Sequence, residues 1–502
     1  MMMDAFLKGL EMLLHPAIWY YIVAGTVIGL VFGSIPGLSS IVAMSLLLPF
    51  VFLMKPEAAF PLFLAICMNS STGGSICAVL LNVPGTSTNV ATLIDGFPMT
   101  QKGEGARALG AALTASGMGG LISIVFALIM FPVVMPLVFS LRSADMVFLI
   151  LMGISCVAVL SKGSMLKGLI SGGVGLILAF VGLQAVTGVP RFNFGSTYLI
   201  EGIPRMPLFL GLFALPEMIA VVAEGGKLVR RSEVVLSVRG VLEGVKDVFR
   251  HWGLWLQSSF IGYIIGVIPG VGGATAIFVA YGYAKQFSKH PERYGTGIVE
   301  GVIAPEAANN AKDGGALLTT LAMGIPGSNE MVLFLGAMMV LGIRPGPEMV
   351  TVRLPMSLNL MQVTLASALI GGFICLLVAP YLAKVASTPA RFLVPFVTVV
   401  IFIGAFSAEG RFIDLVTLIV FGLLGLAMRH FGYNRPALIL GVILGELFEK
   451  YLFIAYETDG SLFFMRPISL GIIFINVILI AIEPIRNTLL PGYRKGIKKA
   501  TA

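Results

Sequence analysis

Long apolar runs with very few charged residues fill this sequence, and they restrict it to a helical membrane protein. The stretch 106–139, for example, contains a single charged side chain, Arg107. Apolar residues make up 57% of the 502 positions and charged residues 12%, which is about half the charged share of a soluble domain. Because a soluble globule cannot enclose so much apolar surface, the solvent must be lipid. At roughly 20 residues per crossing, we expect an all-α polytopic protein with about ten to twelve transmembrane helices.

The charged residues that do occur indicate how the chain is organised. Hydropathy breaks most clearly at 224–252, where six basic residues meet four acidic ones. This stretch predicts a connector between an N-terminal half, 1–223, and a C-terminal half, 253–485. A basic tail follows at 486–502, and the positive-inside rule places both connector and tail in the cytoplasm. Since the remaining basic residues are dispersed among apolar runs, the net charge of +8 does not indicate nucleic-acid binding.

A glycine and proline pattern occurs twice, which predicts that the two halves are copies of one unit. The motif GLVFGSIPG (29–37) recurs as GYIIGVIPG (262–270), 233 residues later. The motif NVPGT (82–86) is echoed as GIPGS (324–328), 242 residues later. The N-terminal flank has no basic excess, so the two repeats are expected to have inverted orientations in the membrane.

A Pro-Gly pair interrupts an apolar run at each of these four places, and each pair predicts a break in a membrane helix. Proline removes a backbone donor, and glycine permits dihedral angles that other residues resist. Within a bilayer, broken backbone is tolerated only where it is buried in protein or lines a watery cavity. Matched breaks in two halves therefore predict the binding site of a transporter, whereas an ordinary proline kink is the alternative for each one. The predicted helix-break residues are Pro36, Gly37, Pro84, Pro269 and Pro326.

Small polar residues cluster around the breaks and form the predicted substrate site. A helix that begins after Pro-Gly points free N–H groups and its positive dipole end into the cavity, which favours an anion such as a carboxylate. Hydroxyl and amide side chains add hydrogen bonds, although they could also serve only as helix caps. The predicted substrate-binding residues are Ser39, Ser40, Asn82, Gly85, Thr86, Ser87, Thr88, Gly270, Gly272, Gly273, Thr275, Gly327, Ser328 and Asn329.

Glu306, Asn309 and Asn310 follow an apolar run and form the predicted coupling-ion site. Ionisable residues inside membrane spans are functional candidates by default. Glu306 and Asn310 are four residues apart on one helical face, where they could bind a cation, hold a proton or form a structural pair. Lys312 could counter a substrate carboxylate or pair locally with Asp313.

The sequence lacks the usual catalytic and nucleotide-binding patterns. None of the four histidines belongs to an HExxH motif, and there is no Gly-Lys-Ser/Thr phosphate loop. The four cysteines have no metal-ligand spacing. We therefore expect a transporter driven by an ion gradient, with no cofactor and no metal other than Na⁺. A channel without gradient coupling is the first alternative, and a membrane-embedded enzyme is the second.

Three stretches carry long ordered motifs: GSICAVLLNVPGTSTNVATLIDGFPMTQKGEGARALG (74–110), PRFNFGSTYLIEGIPRMPLFLGLFALPEM (190–218) and GVIAPEAANNAKDGGALLTTLAMGIPGSNE (301–330). They resemble the large permease subunit of the tripartite tricarboxylate transporter family, and the resemblance covers essentially the whole chain. The family's motifs fall on residues 82–86, on 305–310 and on 324–327. Lys312 and Asp313 depart from the family's pattern, which has small residues there.

The resemblance implies a multi-pass symporter in the inner (cytoplasmic) membrane of a bacterium. Its substrates would be organic carboxylates of the tricarboxylate or dicarboxylate type, taken up with Na⁺ or H⁺. Its partners would be a small membrane subunit and a periplasmic solute-binding protein. We expect alternating access, with the substrate carboxylates held by the segments 82–88 and 328–329 and the coupling ion by the group at Glu306.

Overall fold

The computed structural model describes residues 2–35, 38–51, 53–160, 164–184, 187–223, 237–269, 272–385, 390–407 and 410–489. Helices account for most of this part of the chain. The first eleven are α1 Met2–Leu14, α2 Pro16–Ser34, α3 Ser40–Val51, α4 Pro56–Leu81, α5 Leu93–Gln101, α6 Gly105–Ser140, α7 Ser143–Leu160, α8 Met165–Ala179, α9 Arg205–Phe209, α10 Leu215–Ala223 and α11 Val238–Arg250. The others are α12 Trp252–Val267, α13 Gly272–Gln286, α14 Glu300–Met323, α15 Asn329–Val340, α16 Pro347–Val350, α17 Leu354–Val385, α18 Ala390–Ser407, α19 Phe412–Phe431, α20 Arg435–Asp459 and α21 Pro467–Leu489.

A few shorter elements connect these helices. Two-residue strands, β1 Gly182–Leu183 and β2 Pro190–Arg191, pair antiparallel, a detail that the all-helical prediction did not include. One π-helical turn, Leu210–Ala214, joins α9 to α10. Short 3₁₀ turns lie at Ser87–Asn89, Thr197–Leu199, Pro291–Arg293 and Gly460–Met465.

The helices are apolar enough to make the chain a polytopic membrane protein, as predicted. Five of the described helices can cross a bilayer by length and composition: α2, α4, α6, α19 and residues 354–379 of α17. The segments 435–465 and 467–481 together form a sixth candidate that is bent by 62°. Five further apolar segments are shorter. They are α3, residues 143–158 of α7, α8, α15 and residues 397–407 of α18. The all-α fold is confirmed, while the total of ten to twelve spans stays a prediction.

Two compact units make up the chain. The first unit comprises Met1–Phe139 and Pro204–Ala427, and the second comprises Ser140–Ile203 and Met428–Ala502. Each unit takes segments from both predicted halves. The boundaries of the two compact units therefore differ from the boundaries of the two predicted repeats.

The predicted connector is in part a helix. Residues 224–236 lie outside the described residues, and most of the remainder forms α11. The buried carboxylate of Asp247 on α11 accepts a hydrogen bond from Arg107 Nε on α6 at 2.6 Å. This partly buried ion pair fixes α11 beside the start of α6. Of the predicted tail, the last residues of α21 are described and 490–502 are not.

Glycines allow two helix pairs of the first unit to approach closely. α2 packs along α4, and α12 packs along α14. A Cβ on Gly33 of α2 would collide with the Ser70 carbonyl of α4, and a Cβ on Gly266 of α12 would collide with the Lys312 carbonyl of α14. Small residues at such crossings let backbones touch, which favours helix association within a membrane.

The Gly266→Ala variant is expected to be less stable because its methyl group would meet backbone atoms that cannot rotate away. Overpacking of this kind costs about 1–3 kcal/mol. Gly282→Ala on α13 is the matched control, since nothing lies within 4 Å of its Cβ position, and it should stabilise its helix by up to about 1 kcal/mol. Thermal unfolding in detergent measures both, and equal melting temperatures for the two variants would contradict this packing.

The second unit is held by helix packing and by ion pairs whose carboxylates are buried. α20 packs against α8 and α7, and α21 packs against α7. The fully buried carboxylate of Asp145 accepts hydrogen bonds from Arg466 at 2.7 Å and from Ser469 at 2.6 Å. Arg191 on β2 pairs with Glu449 on α20 at 2.7 Å. The first pair joins the start of α7 to the start of α21, and the second joins β2 to the middle of α20.

Candidate substrate and ion site

Two of the four Pro-Gly breaks share one backbone geometry. α4 ends where Asn82 adopts left-handed dihedrals, φ 55° and ψ 31°, and its N–H donates to the Cys77 carbonyl. α14 ends in the same way at Gly324, with φ 71° and ψ 19° and its N–H donating to the Thr320 carbonyl. Each end is followed by a non-helical stretch that contains Pro84 or Pro326.

At the other two predicted breaks, the structure describes the flanking helices. α2 ends at Ser34 and α3 begins at Ser40, but Pro36 and Gly37 lie outside the described residues. α12 ends before Pro269, and α13 begins at Gly272. Gly270 is likewise not among the described residues. Of the four dipeptides, the two that are described in full, Pro84-Gly85 and Pro326-Gly327, fall in gaps between helices.

The glycine of the Pro-Gly pair at two of the breaks packs against the close crossing of the neighbouring helices. Gly85 lies against the Gly33 carbonyl and Gly74, and Gly327 lies against the Gly266 carbonyl and Ala316. A Cβ on Gly327 would come within 2.6 Å of the Gly266 oxygen. The non-helical backbone is thus packed against protein, which is the condition for its presence at membrane depth.

Polar side chains organise the first of these breaks. The hydroxyl oxygens of Thr86 and Thr88 are 2.9 Å apart, and Thr86 donates to Asn89 Oδ1 at 2.6 Å. Asn89 in turn donates to the Ser71 carbonyl and to Ser75 Oγ, both at 3.0 Å. Main-chain and side-chain groups of α4 therefore hold the turn 86–89 in place.

Glu306 on α14 lies at the centre of this polar network and is fully buried. Its carboxylate accepts hydrogen bonds from Thr92 at 2.6 Å and Ser75 at 2.8 Å. Asn89 and Asn309 donate to it over longer distances, 3.3 and 3.5 Å. In the part of the chain that the structure describes, no basic side chain pairs with Glu306. Hydroxyl groups can donate or accept, so Ser75 and Thr92 could serve Glu306 in its ionised and its protonated form.

The neighbouring amides have unused oxygens. Asn310 donates to Thr72 Oγ1 on α4 at 2.8 Å, but the side-chain oxygens of Asn309 and Asn310 are buried without a hydrogen-bond partner. Buried oxygens that receive no donor, close to a carboxylate, are the ligands that a hard cation prefers.

The remaining predicted residues differ in their placement. Gly273 near the start of α13 adjoins Thr88 and Lys312, which joins the second half to the turn 86–89. Ser328 is buried and caps α15, since its Oγ accepts from the Met331 N–H at 3.3 Å. Ser40 is buried at the start of α3, which packs against α15. Ser39 is half-buried, and the exposed members of the set are Asn82, Ser87, Thr275 and Asn329.

Sequence reasoning missed the polar run NSSTGGS (69–75) on α4. Its members are all buried, and they supply Ser71, Thr72 and Ser75 to the network. A cluster of hydroxyl and amide groups inside an otherwise apolar helix was the available signal, since such groups need partners at membrane depth.

Asp95 on α5 is a second residue that the predicted site did not include. It is fully buried and accepts hydrogen bonds from the N–H groups of Gly295, Gly297 and Ile298 at 2.8–3.2 Å. The Tyr281 hydroxyl of α13 donates to it at 2.9 Å. Through these hydrogen bonds, the Asp95 carboxylate connects α5 to the loop before α14.

Comparison with known proteins identifies the family of the chain. The sequence profile described as the Tripartite tricarboxylate transporter TctA family matches residues 20–440. The chain belongs to this family. The resemblance inferred from the motifs is therefore confirmed, and the chain is a multi-pass membrane subunit of a tripartite transporter.

Two relatives of this TctA family chain come from Agrobacterium vitis. An uncharacterized 52.8 kDa protein in the TAR-I ttuC′ 3′ region is 31% identical over 500 residues, which cover 97% of this chain and 96% of the relative. An uncharacterized protein in the TAR-II ttuC′ 3′ region is 34% identical over 241 residues, or 45% of this chain and 96% of the relative. No solved structure matches.

Proposed function

We propose that this TctA family chain is the permease of a secondary active transporter that takes up organic carboxylates of the tricarboxylate or dicarboxylate type. The observation that carries the proposal is the buried polar network between α4, the turn 86–89 and α14. It combines hydroxyl and amide donors with broken helices, which is the chemistry of a midplane site for an anion.

The substrate carboxylates would bind at the breaks. The turn 86–88 offers hydroxyls, and the starts of α13 and α15 offer N–H groups. Ser328 caps α15, so a substrate carboxylate would compete with its hydroxyl for the Met331 N–H group. Asn82 and Asn329 are exposed at the ends of these segments, and we propose that their amides bind the substrate there.

The charge of the site supports coupling to Na⁺ or H⁺. A buried carboxylate without a cation is unfavourable, and within the described chain Glu306 is held by neutral donors alone. Adding a substrate anion would increase the negative charge, which a cation or a proton at Glu306, Asn309 and Asn310 would offset. The unpartnered amide oxygens of Asn309 and Asn310 support a role as cation ligands.

The two halves, 1–223 and 253–485, would be repeats of one unit. Matched contacts support this duplication, because the crossing of Gly33 with Ser70 corresponds to that of Gly266 with Lys312. The left-handed residue at each helix end also corresponds, at Asn82 and Gly324. Inverted orientation and an alternating-access cycle remain part of the proposal.

Membership of a tripartite transporter family implies that the chain has partner subunits. We propose which proteins these partners are. A small membrane subunit would stand beside the permease, and a periplasmic solute-binding protein would deliver the substrate. The location would be the inner membrane of a bacterium.

Reconstitution tests the function. Proteoliposomes containing the permease and its small subunit, supplied with the binding protein, should accumulate labelled citrate or succinate against a gradient. Accumulation should require an inward Na⁺ or H⁺ gradient and should saturate. Ion current without a carboxylate requirement would instead identify a channel, and chemical conversion of the substrate would identify an enzyme.

Replacing Asn82 separates a role in binding from a role in the backbone. Asn82→Ala is expected to abolish uptake while membrane insertion stays intact, because the side chain that meets the substrate is lost. Alanine at left-handed dihedrals also costs about 1 kcal/mol, so Asn82→Gly is the matched control that removes the side chain without strain. Uptake should be lost in both variants. Normal uptake by Asn82→Gly would show that only the backbone geometry matters.

A further inference from the structure

A buried lysine lies next to the candidate substrate site, and the polar network of Glu306 does not use it. Lys312 on α14 is 2% exposed, and its neighbour Asp313 is 1% exposed. The Lys312 ammonium donates to Asp313 Oδ1 at 2.5 Å. Charged residues at membrane depth are expensive and usually face a cavity or a partner.

The path of the lysine side chain brings it to the residues proposed to hold substrate. A Cβ on Gly273 would come within 2.5 Å of Lys312 Cδ and within 2.6 Å of the Thr88 methyl group. The aliphatic stem therefore crosses the bare face of Gly273 beside Thr88. The Lys312 side chain therefore lies between the turn 86–89 of the first half and the start of α13 in the second half.

Both members of the ion pair keep unused bonding capacity. An ammonium group has three donors, and within the described residues Asp313 supplies the acceptor for one of them. Asp313 Oδ2 is buried and has no hydrogen-bond partner. A purely structural ion pair that is buried in protein would be expected to have its remaining donors and acceptors satisfied. The open positions suit an anionic ligand on the lysine side.

We propose that Lys312 is a cationic anchor for one carboxylate group of the substrate, and that Asp313 holds the ammonium in position while the site is empty. The proposal rests on the proposed function and adds a rule of specificity. One carboxylate would bind the neutral donors at 86–88, and a second would bind Lys312. Compounds with two or three carboxylates would then bind, whereas monocarboxylates could satisfy only one of the two positions.

Binding to the purified full-length permease tests the anchor without the binding protein's own selectivity. Calorimetry with citrate, succinate and acetate as probes would compare the wild type with Lys312→Met, Asp313→Asn and the double variant Lys312→Met/Asp313→Asn. We expect wild type to bind citrate and succinate at least tenfold more tightly than acetate. Lys312→Met and the double variant should each weaken citrate binding at least tenfold, and Asp313→Asn should retain it.

The double variant separates the anchor from a structural ion pair. It leaves no unpaired buried charge, so it should fold even where Lys312→Met does not. If Lys312 serves only the fold, the neutral double variant will bind citrate like wild type, which would overturn the proposal. Unchanged citrate binding by Lys312→Met would overturn it as well. Equal affinity of wild type for acetate and citrate would reject the anchor alone, whereas a wild type that neither binds nor transports any carboxylate would reject the proposed function.

Discussion

The Glu306→Leu variant is expected to lose about 3–5 kcal/mol of unfolding free energy and all uptake. Leucine has a similar volume but removes the acceptor for Thr92 and Ser75, whereas Asn89 keeps the Ser71 carbonyl as an acceptor. Each buried donor left without a partner costs about 1–3 kcal/mol, and relaxation of the hydroxyl groups reduces the sum. Thermal unfolding of the purified protein and uptake by proteoliposomes measure the two effects.

Glu306→Gln separates the charge of Glu306 from its hydrogen bonds. The amide keeps one acceptor oxygen, so this variant should fold with a much smaller loss of stability. Its uptake should nevertheless fall at least about a hundredfold, because no negative charge is left for the coupling cation or proton. Glu292→Gln is the control, since that glutamate is 69% exposed and should change neither property. Wild-type uptake with unchanged ion dependence in Glu306→Gln would reject the ion-site assignment.

Asp95→Ala is expected to destabilise the first unit by about 3 kcal/mol, near the lower end for removing one partner of a buried charged group. The change leaves the N–H groups of Gly297 and Ile298 and the Tyr281 hydroxyl without their acceptor. Water can reach the exposed Gly295 and limits the loss. Limited proteolysis should detect opening of the loop 287–299, and thermal unfolding gives the size of the effect.

A neighbouring acidic residue provides the matched control for Asp95. Glu292→Ala removes a carboxylate from the same loop, but its pair with His290 is exposed on both sides and exposed pairs contribute about 0–1 kcal/mol. Asp95→Asn should fall between wild type and Asp95→Ala because one acceptor oxygen remains. A melting temperature of Asp95→Ala equal to that of Glu292→Ala would contradict the role of Asp95 as a fastener.

Local signals in the sequence were sufficient to predict the helices and the gaps between them. Hydropathy predicts α6 because a membrane helix needs a long apolar run, and the stretch 106–139 provides one. The Pro-Gly pairs predict the gaps because proline and glycine act on the backbone of their own neighbourhood. Glu306 could be predicted as a functional residue from local sequence as well, because it is a charged residue that follows an apolar run.

The partners of Glu306 could not be predicted in this way. Thr92 and Ser75 are separated from it by 214 and 231 positions in the chain, and no local pattern indicates which distant helices meet. Asp95 has the same difficulty, because its partners Gly295 and Gly297 lie 200 and 202 positions away. Each compact unit is built from two separate segments of the chain, and long-range packing decides this division as well.

The structure of the purified permease with citrate bound tests the central claim most directly. Citrate should lie between the turn 86–88 and the start of α13, with one carboxylate group within hydrogen-bond distance of Thr88 and another at Lys312. A citrate molecule bound elsewhere, with the four Pro-Gly gaps closed to it, would contradict the account.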